Sequence, residues 1–317
     1  METTSQTPSH VMQHVVTDSA RALLTGLIDY AGLFPPATLS MAEAVANYET
    51  YLHGPYGWIL GRFIVPVARL EEFEKALAQR PDSKRDLCWK LSAIASEGTV
   101  SEVSRILAFN CRHERARSSV RAEIESVELR PMASARLVEL ASSHIPSELE
   151  TYFEIPLTWQ GRSALDGVAK CRRRAKIRMG GETPGMFPPA KDVALFLELC
   201  AARKVPFKAT AGLHHAVRGV HPCTSDLNSP KVEMQGFLNL FLAAASAYHA
   251  PDQHSGDAIL YGQTHTIFHF HEESIQWDLG GRVSLEQISA ARREFATSFG
   301  SCSFTEPVDH LRAMYVL

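Results

Sequence analysis

The chain has 317 residues, 45% of them hydrophobic, and a formal net charge of −3. That is enough material for one large domain or two ordinary ones with a sizeable core. Near-neutral charge without a long basic stripe excludes nucleic acid as the main partner, and no apolar run is long enough to span a bilayer, which argues for no membrane.

The opening residues "METTSQTPSHVMQHVV" are polar and lack the apolar stretch of a secretion signal. Residues 1–17 read as a loose tail, and 18–317 as a single catalytic domain. The six cysteines are scattered and form no CxxC pair. That pattern fits a reducing compartment, so a cytoplasmic, soluble protein is expected.

Short apolar runs then alternate with stretches of helical period. The first strand is expected in "LTGLIDYAGLF" (24–34), followed by the helix "TLSMAEAVANYETYL". "GRFIVPV" (61–67) precedes "RLEEFEKALAQR"; "LCWKLSAI" (87–94) precedes "TVSEVSRILAFNC"; "IESVELRP" (124–131) precedes "SARLVELASS". "LETYFEIPL" (149–157), "AKIRMGG" (175–181) and "PFKATAGL" (206–213) continue the series, separated by "RSALDGVAKCRRR" and "AKDVALFLELCAARK". A long insertion follows. It holds the expected helix "VEMQGFLNLFLAAASAYH" and a hairpin around "IQWDLGGRV". Its run "GFLNLFLAAA" suits either core or the interface of a homo-oligomer. The last strand, "ATSFGSCSF" (296–304), leads into "TEPVDHLRAM", with Thr305 as the expected N-cap. Eight strands each followed by helix predict the α/β class and a (β/α)8, TIM-like barrel with an insertion before the last strand. No GxGxxG follows the first strand, which disfavours an open dinucleotide-binding sheet. "GLFPPA" (32–37) recurs as "GMFPPA" (185–190); Pro-Pro is a convenient strand-to-helix connector, and no duplication is inferred from it.

Strand side chains alternate between the barrel interior and the helix layer, and the helix-facing set should be apolar. Opposite the apolar sets stand Glu128 and Arg130, then Glu154, then Lys176 and Arg178, then Lys208 with Thr210. Asp29 is a further inward candidate on the first strand. Isolated buried charge is costly, so these groups must pair, hydrate or change protonation. A salt-bridge network closing the barrel would be the purely structural outcome. The clustering at one end, where barrel ligand sites form, favours function.

A lysine buried beside other cations is deprotonated more easily and can form an imine with a carbonyl. Lys208 and Lys176 are the candidates, with Glu154 or Asp29 moving protons. "PFKATAGL" resembles the lysine-bearing strands of barrel class I aldolases of the deoxyribose-phosphate aldolase type, over about ten residues. The resemblance implies lyase chemistry in which one lysine forms the imine and a second tunes it. The expected substrate is a small anionic carbonyl compound, with lyase or isomerase chemistry and no cofactor. Arg178, Glu128 and Arg130 would contact it, and Gly300, Ser301 and Ser303 could cradle its anionic end through backbone N–H groups. His214 and His215, after the seventh strand, would lie over it. One alternative is a metal-dependent barrel lyase or hydrolase. It would use Mg²⁺ on Asp29, Glu128 and Glu154, or a metal bound by His265, His269 and His271, of which the first two share i,i+4 spacing. Another is a non-catalytic metabolite-binding or interaction barrel.

Overall fold

A computed structural model describes residues 15–80, 88–115, 121–224, 228–250, 255–262, 267–278 and 280–317. Seven strands come first: β1 (Ile28–Tyr30), β2 (Leu60–Pro66), β3 (Cys88–Ile94), β4 (Arg121–Leu129), β5 (Glu150–Glu154), β6 (Arg174–Arg178) and β7 (Phe207–Thr210). They pair in parallel, each with the next, and β13 (Ala296–Ser301) closes the ring between β7 and β1. The chain is a (β/α)8 barrel. Between β7 and β13 run a hairpin of β8 (Gly219–Pro222) and β9 (Lys231–Met234), the helices α8 (Phe237–His249) and α9 (Ser255–Leu260), a three-stranded sheet of β10 (Phe268–His271), β11 (Ser274–Trp277) and β12 (Gly281–Ser284), and α10 (Leu285–Glu294).

The helices that follow β1 to β6 are α2 (Met41–His53), α3 (Leu70–Ala78), α4 (Val100–Arg115), α5 (Ala135–Ser142), α6 (Trp159–Lys170) and α7 (Ala190–Ala202). They start where the local chemistry asks. Ser40 caps α2 and Glu43 returns the favour, and Ser284 and Gln287 do the same for α10, satisfying N–H groups that have no partner within the helix. Their apolar faces meet the outward set of the strands: Val127, Leu129, Phe153, Ala175, Ile177, Phe207 and Ala209 all join one core. α8 is buried along its length within the single chain, with Phe237 stacked on Phe299 of β13 at 5.3 Å. Its apolar run is therefore core.

Four local expectations need correcting. "VEMQ" begins as strand β9, not helix, because it pairs antiparallel with β8. α11 (Thr305–Ala313) begins one residue earlier than expected, with Phe304 at the cap and Thr305 already helical. His269 lies on strand β10, so the helical spacing to His265 does not hold; His265 itself lies outside the described residues. The expected tail runs only partly as foreseen. Residues 1–14 lie outside the described residues, whereas Thr17 caps α1 (Asp18–Leu24) by accepting from the Ala20 N–H.

At the C-terminal ends of β6 and β7 the two backbones nearly touch. Gly212 has φ +69°, and a Cβ there would meet the Met179 carbonyl oxygen at 2.6 Å and the Gly180 Cα at 2.7 Å. Only glycine fits both demands. This tight crossing sets the rim beside the inward lysines.

Candidate active site

The alternation on the strands is as expected for the inward set, and the side chains join into one chain of alternating charge. The Lys208 ammonium donates to Asp29 Oδ2 and Glu128 Oε1, both at 2.6 Å. Asp29 also accepts from the Ser298 hydroxyl and the Arg62 backbone N–H, each at 2.7 Å. Glu128 accepts from Ser92 at 2.7 Å, and Ser126 donates to Ser92 in turn. The other Glu128 oxygen faces Lys176 Nζ at 3.4 Å, and Lys176 faces Glu154 Oε2 at 3.3 Å. Arg178 closes the sequence, its Nε donating to Glu154 Oε1 at 2.9 Å. Three carboxylates are matched by three cations.

The chain runs from dry to wet. Lys208, Asp29 and Glu128 are buried at 0%, 1% and 1% exposure, whereas the Arg178 side chain is 43% exposed at the mouth. Register explains the gradient. Lys208 lies level with Lys176, and Thr210, two residues further along, lies level with Arg178 and Gly300. Burial alone would strip the proton from Lys208. The Asp29 and Glu128 carboxylates outweigh it and hold the ammonium above the ordinary lysine range. Burial alone would likewise raise the Glu128 carboxyl. The Lys208 and Lys176 ammoniums, with hydrogen bonds from Lys208 and Ser92, bring it down to about 2. The Tyr152 ring lies 5.5 Å from Lys208 Nζ and adds a cation–π contact.

Lys208 as a neutral nucleophile is therefore corrected: two carboxylates at contact distance keep it charged. Its partners are Asp29 and Glu128 rather than Glu154, which belongs to Lys176 and Arg178. The Mg²⁺ arrangement meets the same obstacle. The Lys208 ammonium stands between Asp29 and Glu128 where a divalent ion would have to sit, and Glu154 is held by two further cations. Among the described residues no group of three or more His, Cys, Asp or Glu is arranged to hold a metal ion. His269 instead meets Asp278 at 2.6 Å.

No protein-family model matches the sequence, and no curated protein does. The reading of this site therefore rests on its geometry.

The remaining expected residues lie nearer the rim. Arg130 is exposed just past the end of β4 and stands outside the charge chain. Ser301 and Ser303 do not form an open anion cradle: the Ser303 N–H donates to the Ser301 hydroxyl, and the Glu306 N–H donates to the Ser303 hydroxyl. The Glu306 carboxylate in the first turn of α11 adds negative charge beside them. Gly300 is buried at the level of Thr210. His214 and His215 are turned to α11. His214 Nδ1 meets Glu306 Oε2 at 3.1 Å, and the His215 ring lies between those of His221 and His310.

Ser92, Ser298 and Tyr152 belong to the site and are absent from the sequence-derived set. Ser92 stands between Leu91 and Ala93, and Tyr152 between Thr151 and Phe153, so strict alternation could have marked both. Ser298 is harder to find, because β13 shifts register between Ala296 and Phe299.

Proposed function

We propose that the protein is an enzyme acting on a small anionic carbonyl compound, with lyase chemistry of the aldolase kind or isomerase chemistry, and with Lys176 as the amine that forms the imine. The observation that carries this is the contrast between the two inward lysines. Lys208 sits between two carboxylates at 2.6 Å, while Lys176, level with it on the next strand, reaches both of its carboxylates only at 3.3–3.4 Å. Those carboxylates are already served by other cations, Lys208 and Arg178.

In this reading Arg178, exposed and adjacent, takes the anionic group of the substrate. Glu154 accepts the proton that Lys176 must lose. The free amine adds to the carbonyl carbon, and Glu154 returns the proton as water leaves, giving the imine. The cationic imine then draws electrons from the neighbouring carbon, which permits either C–C cleavage or proton removal there. Lys208 keeps its charge throughout and fixes Glu128 beneath the reacting centre. The resemblance to class I aldolases is consistent with this division between a reacting and a tuning lysine.

The rival is a binding barrel without chemistry, favoured by the fact that all six inward charges are paired. Borohydride reduction in the presence of pyruvate, glyoxylate or dihydroxyacetone phosphate, followed by intact mass and peptide mapping, separates the two. The expected result is a covalent adduct on the Lys176 peptide, absent in Lys176→Ala. Stabilisation by a probe without an adduct would favour the binding barrel, and an adduct on Lys208 would reverse the assignment.

A further inference from the structure

Away from the charge chain, three imidazoles are packed into one stack on the same face of the barrel. The His215 ring, on the β7–β8 connection, lies 3.4 Å from that of His221 on β8, nearly parallel at 17°. The ring of His310 on α11 lies 4.8 Å from the same His215 ring. His215 Nδ1 is buried without a hydrogen-bond partner. The stack joins the β8–β9 hairpin to α11, the helix that follows the last barrel strand. The hairpin's other edge faces the β6–α7 connection, where the Cys223 thiol lies 3.8 Å from the Glu182 carbonyl oxygen. The hairpin thus spans the rim from β6 to α11, beside Arg178.

Its base is fastened differently. Arg218, buried just before β8, pairs with Glu233 on β9 and donates to the Tyr261 carbonyl. That anchor carries permanent charge and does not change in mild acid. The histidine edge does.

We propose that the β8–β9 hairpin is an acid-released strap, latched across the barrel rim by the stack of His221, His215 and His310 and freed when the stack takes up a proton. The groups facing His215 are His214 from its own connection, His221 from β8, and His310 and Glu306 from α11. Four of the partners' contributions are unequal in sign: the three imidazoles oppose a proton on His215, and only Glu306 favours one, while itself engaged by His214. Burial opposes it most, and together these bring His215 down to about 3 from its ordinary 6.5. His221 is lowered too, by burial and by His310. A lowered histidine stabilises the latched form fully above its free value and loses that stabilisation as pH falls below it. For His215 alone, going from pH 7 to pH 5 shifts the equilibrium toward release by roughly 25-fold. The inference does not depend on imine chemistry at Lys176.

Cys223, buried on the strap, reports release, and Cys200, fully buried on the inner face of α7, reports global unfolding. The full chain is labelled with dithiodipyridine at pH 7 and pH 5. The rate at each cysteine is divided by that of the same cysteine in urea-unfolded chain at the same pH. The expected result is a rise of at least roughly 25-fold in the relative rate at Cys223, with Cys200 still protected, and a markedly smaller rise in His215→Phe, which keeps an aromatic ring without a proton site. A flat wild-type profile, a parallel rise at Cys200, or the same rise in His215→Phe overturns the proposal. If His215→Phe does not fold, His215→Gln, which also lacks a proton site, replaces it, and the same rise in that variant overturns the proposal.

Discussion

Replacing Lys208 by methionine removes the cation at the centre of the charge chain while keeping its length and apolar stem. Asp29 and Glu128, at 1% exposure each, would then face each other across the vacated ammonium position. Asp29 would keep its bonds from Ser298 and the Arg62 N–H, and Glu128 those from Ser92 and the more distant Lys176. Removing one partner of a buried pair costs about 3–5 kcal/mol, because the charge left behind is no longer compensated. For a chain of this size each kcal/mol lowers Tm by roughly 2 °C, so a fall of roughly 6–10 °C is expected at pH 7.

The pH dependence is the sharper test. In the wild type Glu128 is depressed from 4.5 to about 2, so its contribution is full above 4.5 and is lost as pH falls toward 2. Between pH 7 and 5 that contribution is level. In Lys208→Met the Glu128 carboxyl loses its main cation, and burial raises it instead. A raised carboxyl favours the folded state more as pH falls, so the variant should gain stability relative to the wild type from pH 7 to pH 5. Lys208→Met/Glu128→Gln should recover part of the loss, since it removes the uncompensated charge. Thermal melts by circular dichroism at both pH values measure this. A Tm change under about 2 °C, or a variant whose deficit relative to the wild type grows toward pH 5, would refute the view that Lys208 is a buried cation held by two carboxylates.

Arg178→Leu should weaken binding of an anionic carbonyl probe tenfold or more, read as a dissociation constant or KM, while changing stability by no more than about 1 kcal/mol, because the guanidinium is exposed. Gly212→Ala should lower stability by about 1–3 kcal/mol in denaturant titration, since φ +69° strains alanine and its Cβ would press on the Met179 carbonyl. Under native conditions a thiol reagent should modify exposed Cys88 readily and leave Cys200 untouched, because complete burial both shields the Cys200 thiol and pushes it well above the ordinary range.

The inward charges were legible because strand periodicity is two and the alternate positions are plainly apolar: Ala175 and Ile177 mark Lys176 and Arg178, and Phe207 and Ala209 mark Lys208. Which charge meets which was not legible, because it depends on how the closed ring brings strands together. Lys208 on β7 reaches Asp29 on β1, beyond β13, and Glu128 on β4, three strands away in the other direction. Irregular register along β13 also brings in Ser298, which simple alternation cannot rank. The rim histidines misled for a related reason. Their partners, Glu306 and His310, lie on a helix about ninety residues downstream, and nothing local announces it.

The consequence is chemical. A lysine on a late barrel strand is a candidate amine by position, and two such lysines on adjacent strands look equivalent in the sequence. The carboxylates around each separate them. Two at 2.6 Å hold Lys208 as a cation, whereas the two carboxylates of Lys176, at 3.3–3.4 Å, are both shared with other cations, and on the proposal above Lys176 is the amine that reacts. The choice between the two lysines in that proposal therefore turns on how many cations each carboxylate already serves, a property of the closed ring and of no single strand.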